Sequence, residues 1–336
     1  MERHIERHDD LCDVEGILVG HDTQAEAATG CTVILCQRPA VGAVDVRGGA
    51  PATRETDLLD PTRMMREVHA IVLSGGSAFG LEAASGVARA LEARGVGFDV
   101  GVTRVPIVPA AALFDLSVGR ADVRPDAAAG VRALAVAAGG PVAQGCVGAG
   151  TGATIGKSAG PALCVKAGVG SASGRLDAAL GGFTLGALVA VNAVGDIYDA
   201  DSGRLVAGAR HPSGQGWLRD GPPPTAAHAG PFPGANTTLA VIATDAPLNK
   251  ADLTRLAQVA HDGFALAIRP THTPFDGDLI FALSTAPAAA TAGPVAPALL
   301  AALGALAAQT VARAIVRGVR AATSLAGIHA LRDLSF

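Results

Sequence analysis

Residues 234–244 read GANTTLAVIAT, and the change of character inside that stretch organises the reading of the whole chain. Before it, Pro212–Ala235 holds six Pro and five Gly in 24 residues. Proline removes a backbone donor and glycine is costly to order, so the segment predicts a loop or linker. After it, Thr237–Thr244 is aliphatic, rich in β-branched residues and uncharged, which predicts a buried strand. A linker of that length running straight into a buried strand is odd within one domain. It makes sense if the backbone is cut at the junction.

The junction residues bring their own chemistry. A Thr hydroxyl is a weak nucleophile at neutral pH, but an N-terminal Thr carries an α-amine of pKa about 8 that takes the hydroxyl proton. Such an amine sits near working pH, as a general base needs. Breaking the Asn236–Thr237 bond would create that arrangement. On the residues alone the plainer alternative stands beside it, since Thr often opens a strand.

Working outward, Cys31–Cys36 and Val41–Val46 predict strands, with Gly48-Gly49 as a break. Ala70–Leu73 predicts a short strand. Ser74-Gly75-Gly76-Ser77 then turns into a helix through Arg94, ended by Gly95, with Leu81, Ala84, Ala88 and Leu91 on one face and Ser77 as its N-cap. Leu185–Val191 and Gly195–Tyr198 predict a strand and its hairpin return. Leu253, Leu256, Ala257, Ala260 and Phe264 fall at helical spacing within Ala251–Phe264. Leu279–Thr285 predicts a strand and Pro297–Thr323 a long Ala/Leu helix.

Composition narrows the function classes. Apolar residues are 49% of 336 and charged residues 17%, which excludes a charged disordered chain. Aromatics are 3% and the net charge is −4 with no basic run, so nucleic-acid binding has almost no support. Five Cys without a C-x-x-C pair predict buried thiols of a reducing compartment. The charged N-terminus lacks an apolar signal core, and the most apolar run, Ala298–Ala308, is too short to span a bilayer. A cytoplasmic protein with no membrane segment is expected.

Other motifs carry less. Gly148–Ser158 (GAGTGATIGKS) ends like a P-loop, but Thr151 stands where its first Gly belongs and no apolar strand precedes it. Gly76-Ser77-Ala78-Phe79-Gly80 has the wrong spacing for a nucleophile elbow. His4 and His8, beside Asp9 and Asp10, would share a helix face able to hold a metal, but a solvated chain start is the simpler reading. No Ser/His/Asp triad is anchored by the sequence.

The run NTTLAVIATDAPLNKADLTRLAQVAHDGFALAIRPTHTPFDGDLIFALST (residues 236–285) strongly resembles the DmpA-like family of L-aminopeptidase/D-esterases, β-peptidyl aminopeptidases and nylon-oligomer hydrolases. The resemblance covers nearly the whole chain, through AVDVRGGAPATRETDLL, VLSGGSAFGLEAASGV, GAGTGATIGKSAG and VNAVGDIYD in the family's order. It implies an α+β fold, a four-layer αββα sandwich similar to the N-terminal-nucleophile hydrolases. It further implies one domain self-cleaved into residues 1–236 and 237–336, with no cofactor or metal.

By the same resemblance, Thr237 is the nucleophile after Asn236, and the Asn-Thr junction is closer to nylon-oligomer hydrolases than to the Ser-bearing aminopeptidases. Lys157 matches a lysine beside the nucleophile, where an ammonium would favour a neutral α-amine and stabilise negative charge. Asn192 matches an oxyanion donor, to be joined by a backbone N–H in the Gly148–Gly152 segment, with Gly148 and Gly150 as substrate-contacting positions. Asp276 and Asp278 match an acidic pair that orients the nucleophile or holds a substrate amine; Ser and Glu stand there in β-peptidyl aminopeptidases. Phe114 replaces a Tyr of some relatives. The implied partners are small peptides or amides and further copies of the chain, as a tetramer of αβ units. An ornithine-acetyltransferase-like acyltransferase and a non-catalytic Gly-rich ligand-binding protein are the alternatives.

Overall fold

The computed structural model describes residues 7–218, 236–291 and 293–336. His4 and most of the Pro/Gly-rich segment lie outside the described residues; its described part, residues 212–218, is turns and bends.

Among the described residues, nine strands form the main sheet: β1 (Ile17–Gln24), β2 (Thr29–Val46), β3 (Ala52–Arg54), β4 (Glu67–Ser74), β5 (Ala110–Ala112), β6 (Val169–Arg175), β7 (Thr184–Ala190), β8 (Leu239–Thr244) and β9 (Leu279–Ser284). Their order is β6-β7-β8-β9-β2-β4-β5-β3, with β1 on β2. The strands expected at Cys31–Cys36 and Val41–Val46 are one strand. Its register against β4 shifts between Leu35 and Ala40, around exposed Gln37, Arg38 and Pro39. Proline cannot donate to a ladder, so a bulge is where it is tolerated. The first half of β2 pairs with β1 and β4, the second with β9. Through this strand the sheet folds over into two layers.

Strand alternation then sorts side chains into three cores. Leu188, Val241, Phe281 and Leu283 face Ile34, Ile71, Leu73 and Leu113 between the two sheet layers. On the outer face of one layer, Val189, Ile242 and Ile280 meet Leu253, Leu256, Ala257, Ala260, Phe264 and Val311. These come from α3 (Lys250–Ala260), α4 (Asp262–Ala267) and α5 (Pro297–Ala321). On the other outer face, Val33, Ala70 and Val72 meet Ala83, Val87, Leu91, Ala129 and Leu134 of α1 (Glu82–Glu92) and α2 (Ala127–Ala135). The architecture is the expected αββα sandwich.

α5 has 25 residues and is apolar and long enough to cross a membrane by length and composition, which corrects the eleven-residue estimate. Here its buried face lies on the sheet, so close to β6 that a Cβ at Gly170 would sit 2.0 Å from the Ala314 carbonyl oxygen. Arg313 and Arg317 on this helix pair with Asp9.

Two local expectations fail. Asp196–Tyr198 does not return against β7; it pairs with Leu205–Ala207 and Ile268–Arg269. Both edges of β7 are already taken by β6 and β8, so no ladder is left for a hairpin. Ser77 is not an N-cap: it enters a 3₁₀ turn with φ +55° after Gly76, and no side chain caps that turn.

Candidate active site

The site grows from strand register. β8 and β9 are parallel neighbours with Leu239 opposite Leu279, so the residues leading into each strand also lie side by side. Asn236 bridges to Asp276, and the Gly277 N–H donates to the Asn236 carbonyl at 2.9 Å. The Thr238 N–H donates to Asp278 Oδ1 at 2.7 Å. Thr237 lies against Gly277, where a Cβ would stand 2.7 Å from Thr237 Oγ1. Only glycine leaves room for that hydroxyl.

A third strand end completes the arrangement. β7 runs antiparallel to β8, and just beyond its end the Asn192 carbonyl accepts the Thr237 N–H at 2.8 Å. Asn192 Nδ2 donates to the Phe114 carbonyl at 3.0 Å. Its Oδ1 accepts from the Thr154 N–H at 3.1 Å and from Lys157 Nζ at 2.7 Å. The Lys157 turn is pinned by its own N–H on the Val194 carbonyl, 2.9 Å. Thus Lys157, Asn192, Asn236, Thr237, Asp276 and Asp278, scattered over 122 positions of sequence, converge on one point.

Electrostatics mark the point as unusual. Burial pushes the Lys157 ammonium down to about 7, against opposing pulls from Asp276 and Asp115. Burial pushes the Asp276 carboxyl up, and the neighbouring Asp278 charge adds to it. Asp276 Oδ2 accepts the Thr273 N–H at 2.6 Å. Among the described residues, Asp276 Oδ1, Asn236 Oδ1 and Thr238 Oγ1 are buried without a hydrogen-bond partner. Orphaned polar atoms are rare in folded proteins, and three at one strand entrance mark a place for chemistry rather than packing.

A cavity of 560 Å³ opens here, walled by Phe114, Leu116, Pro161, Val194 and Ile328, with Lys157, Thr154 and Asn236 at its polar end. Phe114 therefore meets the cavity with a ring and the site with its carbonyl. Gly148 and Gly150 do not line it, which corrects their expected role. The Gly148 N–H donates to Thr23 Oγ1, that of Ala149 to Thr32 Oγ1, and that of Gly150 to the Val147 carbonyl. The N–H groups of Gly148, Ala149, Gly150 and Thr151 are spent inside the fold.

Sequence reasoning missed Asp115, whose carboxylate takes the Gly76 N–H at 2.7 Å and Thr29 Oγ1 at 2.8 Å and is raised to about 6 by burial. It also missed His261 and His272, although His272 stands in the quoted THTPFDGD run, six residues before Asp278. No group of three or more His, Cys, Asp or Glu able to hold a metal occurs among the described residues.

The model of peptidase family S58 matches residues 9–332. The chain belongs to peptidase family S58. An uncharacterized aminopeptidase of Mycobacterium bovis is 45% identical to it, covering 96% of this chain and 97% of the relative. A 6-aminohexanoate-oligomer endohydrolase of Kocuria sp. is 34% identical over 81% of this chain and 74% of the relative. Among solved structures, the L-aminopeptidase D-Ala-esterase/amidase of Ochrobactrum anthropi, described as a new variant of the Ntn hydrolase fold, aligns at 25% identity with a TM-score of 0.72, covering 94% and 86% of the two chains. A Burkholderia sp. beta-aminopeptidase aligns at 25% identity with a TM-score of 0.70, covering 98% and 95%. This S58 chain is a hydrolase of peptide or amide bonds.

Proposed function

We propose that this S58 hydrolase breaks its own Asn236–Thr237 bond and then uses Thr237 as an N-terminal nucleophile. One observation carries the reading: Thr237 Oγ1 lies 2.6 Å from the Asn236 carbonyl oxygen, while the Gly277 N–H reaches that oxygen at 2.9 Å. Hydroxyl and Gly277 N–H thus both donate to the oxygen of the carbonyl that would be attacked. Oγ1 adds to the Asn236 carbonyl carbon, and the oxygen takes negative charge against the Gly277 N–H. The hydroxyl proton passes to the Thr237 nitrogen as the C–N bond breaks, converting amide to ester and freeing the amine. Water then hydrolyses the ester.

In the mature enzyme the Thr237 amine is the base for its own hydroxyl. A substrate carbonyl takes the position of the Asn236 carbonyl, with the Gly277 N–H as donor and the remaining Asn192 Nδ2 hydrogen as a second. Lys157 holds Asn192 in that orientation through Oδ1. Asp278 anchors the Thr238 N–H, and Asp276 stands beside the reacting residue.

The cavity bears on substrate. Lys157 is the one charged residue among the described residues lining it, and the walls are apolar. That favours an apolar acyl group over one carrying an ammonium, which would be repelled without a lining carboxylate. We therefore place this chain's preference with amides of apolar acyl chains, including interior units of ω-amino-acid oligomers, whose amines are acylated and uncharged. A soluble homo-oligomer of αβ units in the cytoplasm belongs to the same reading.

Denaturing electrophoresis and N-terminal sequencing test the cleavage: wild type yields two chains, the smaller beginning Thr-Thr-Leu-Ala, and an intact active chain removes the mechanism. Rates on L-, D- and β-amino-acid p-nitroanilides and a 6-aminohexanoate oligomer rank the substrates, and acetyl-ornithine:glutamate exchange checks the acyltransferase alternative.

A further inference from the structure

Behind the acidic pair, two imidazoles form a chain whose hydrogen-bond polarity can be counted. His261 Nε2 lies 3.1 Å from the Asp45 carbonyl and 3.5 Å from an Asp45 carboxylate oxygen, so it faces only acceptors. His261 Nδ1 meets His272 Nε2 at 3.1 Å. His272 Nδ1 meets Asp278 Oδ2 at 2.9 Å. Each outer ring nitrogen must donate, and the contact between the rings needs one proton. That makes three protons, where two neutral imidazoles carry two.

We propose that the His261–His272 pair holds this third proton and presents it as a positive charge to Asp278, making His272 the residue that positions the Thr237–Thr238 end of β8. His272 Nδ1 stands 2.9 Å from the Asp278 carboxylate, whereas His261 Nε2 meets a backbone carbonyl at 3.1 Å and its carboxylate only at 3.5 Å. The charge therefore belongs on His272, the ring nearer a carboxylate; burial, which lowers His261 to about 4, acts in the same sense. His272 adopts φ +56°, a left-handed conformation uncommon outside glycine, and thereby aims both its backbone N–H, 3.1 Å, and its ring at the same Oδ2. Thr271 Oγ1 donates to that oxygen at 2.9 Å, while Oδ1 holds the Thr238 N–H. Charged groups facing the pair are Asp45 and Arg47 from the end of β2, and Asp276 and Asp278 from its own loop, with Lys157 acting on Asp276 from the far side. The positive ring offsets the repulsion between Asp276 and Asp278. With only two protons, one of the three contacts would set acceptor against acceptor, and the chain from Asp45 to Asp278 would lose a link.

The proton count stands apart from the proposed nucleophile, while its effect on rate rests on that reading, so the test has two arms. Nitrogen NMR of histidine-labelled, full-length Thr237→Ala protein should show both ring nitrogens of His272 protonated at neutral pH; two neutral rings overturn the count, whatever Thr237 does. In the second arm, His272→Asn keeps a residue tolerant of the left-handed backbone and able to offer a neutral N–H. It should self-cleave and bind substrate with little change in KM. Its kcat should fall on the order of tenfold or more, the lower end of what loss of an orienting partner costs at metal sites. An unaltered kcat, or a KM that worsens as much as kcat, overturns the positioning role; should the variant not fold, the NMR arm still decides the count.

Discussion

Lys157 and Lys166 stand nine residues apart, and burial lowers the pKa of both, yet they belong to different parts of the molecule. Lys166 is fully buried, and its Nζ donates to the carbonyls of Ala153 at 2.7 Å, Ala167 at 2.8 Å and Gly150 at 3.4 Å. It is a strut that ties together the Gly-rich turn. Lys157 faces a side-chain amide, Asn192 Oδ1, at the polar end of the cavity. Burial is common to both, so burial does not mark function. What distinguishes them is the partner: backbone carbonyls for Lys166, and for Lys157 the side-chain amide of Asn192 with its carbonyl at 3.4 Å, beside the proposed reacting bond.

The comparison presumes that the reacting bond is at Thr237, and the largest effects test that. Thr237→Ala should remain a single uncut chain and lose amide hydrolysis by on the order of 10⁴- to 10⁶-fold, as removal of a nucleophile does elsewhere. Folding should survive, because the Thr237 N–H to the Asn192 carbonyl does not involve the side chain. Cut, active Thr237→Ala protein would leave Lys157 beside nothing in particular. Gly277→Ala should come next: the new methyl intrudes 2.7 Å from Oγ1, so precursor should accumulate with cleavage slowed about 100-fold, the cost of a small misplacement at a reacting centre. A time course on denaturing gels reads this directly.

Much of this was legible beforehand, for identifiable reasons. Aliphatic runs located β7, β8 and β9, and helical spacing located α1, α3 with α4, and α5; α2 (Ala127–Ala135), Ala-rich and short, was not foreseen. The junction at Asn236–Thr237 was legible because a Pro/Gly segment abuts an aliphatic strand. The constant offset of 40 between 236–238 and 276–278 follows from parallel pairing, which no local pattern encodes; resemblance supplied those residues, and register explains their meeting. The Gly148–Gly152 donors failed because a Gly-rich run shows the capacity for close approach, not what is approached: Thr23 and Thr32 from distant strands take those N–H groups. Asp115 was invisible for the same reason, since its partners lie 39 and 86 positions away, and so was the Asp45 end of the His261–His272 pair, 216 positions from His261.

Exchanging each lysine for Met sharpens the contrast. Lys157→Met should lower kcat by about 100-fold or more, comparable to loss of an oxyanion donor, because Asn192 loses its fixed orientation. Its melting temperature should change little. Lys166→Met should do the reverse: the Ala153 and Gly150 carbonyls keep a backbone N–H, but the Ala167 carbonyl is left with only the Cys146 thiol, at a cost of about 1–3 kcal/mol, while surviving folded protein keeps its kcat. Thermal melts and steady-state kinetics on the pair separate the roles; equal losses of kcat would erase the distinction.

The smallest effect is the pH dependence of stability, and its sign follows from the same burial. Unfolded Lys157 titrates at its ordinary 10.5, and folded Lys157 at about 7. Below 7 both states hold the proton, and this group adds no slope. Between 7 and 10.5 the unfolded chain binds the proton and the folded chain has released it, so raising pH favours the folded state. Lys166 is lowered in the same direction, so its contribution has the same sign. Denaturant midpoints measured on uncleaved Thr237→Ala protein from pH 7 to 9 should therefore carry an upward contribution from Lys157. Adding Lys157→Met should flatten that part. If Lys157→Met leaves the slope untouched, the Lys157 amine is charged throughout this range, and the lowered affinity for its proton that accompanies its place beside Asn192 is not there.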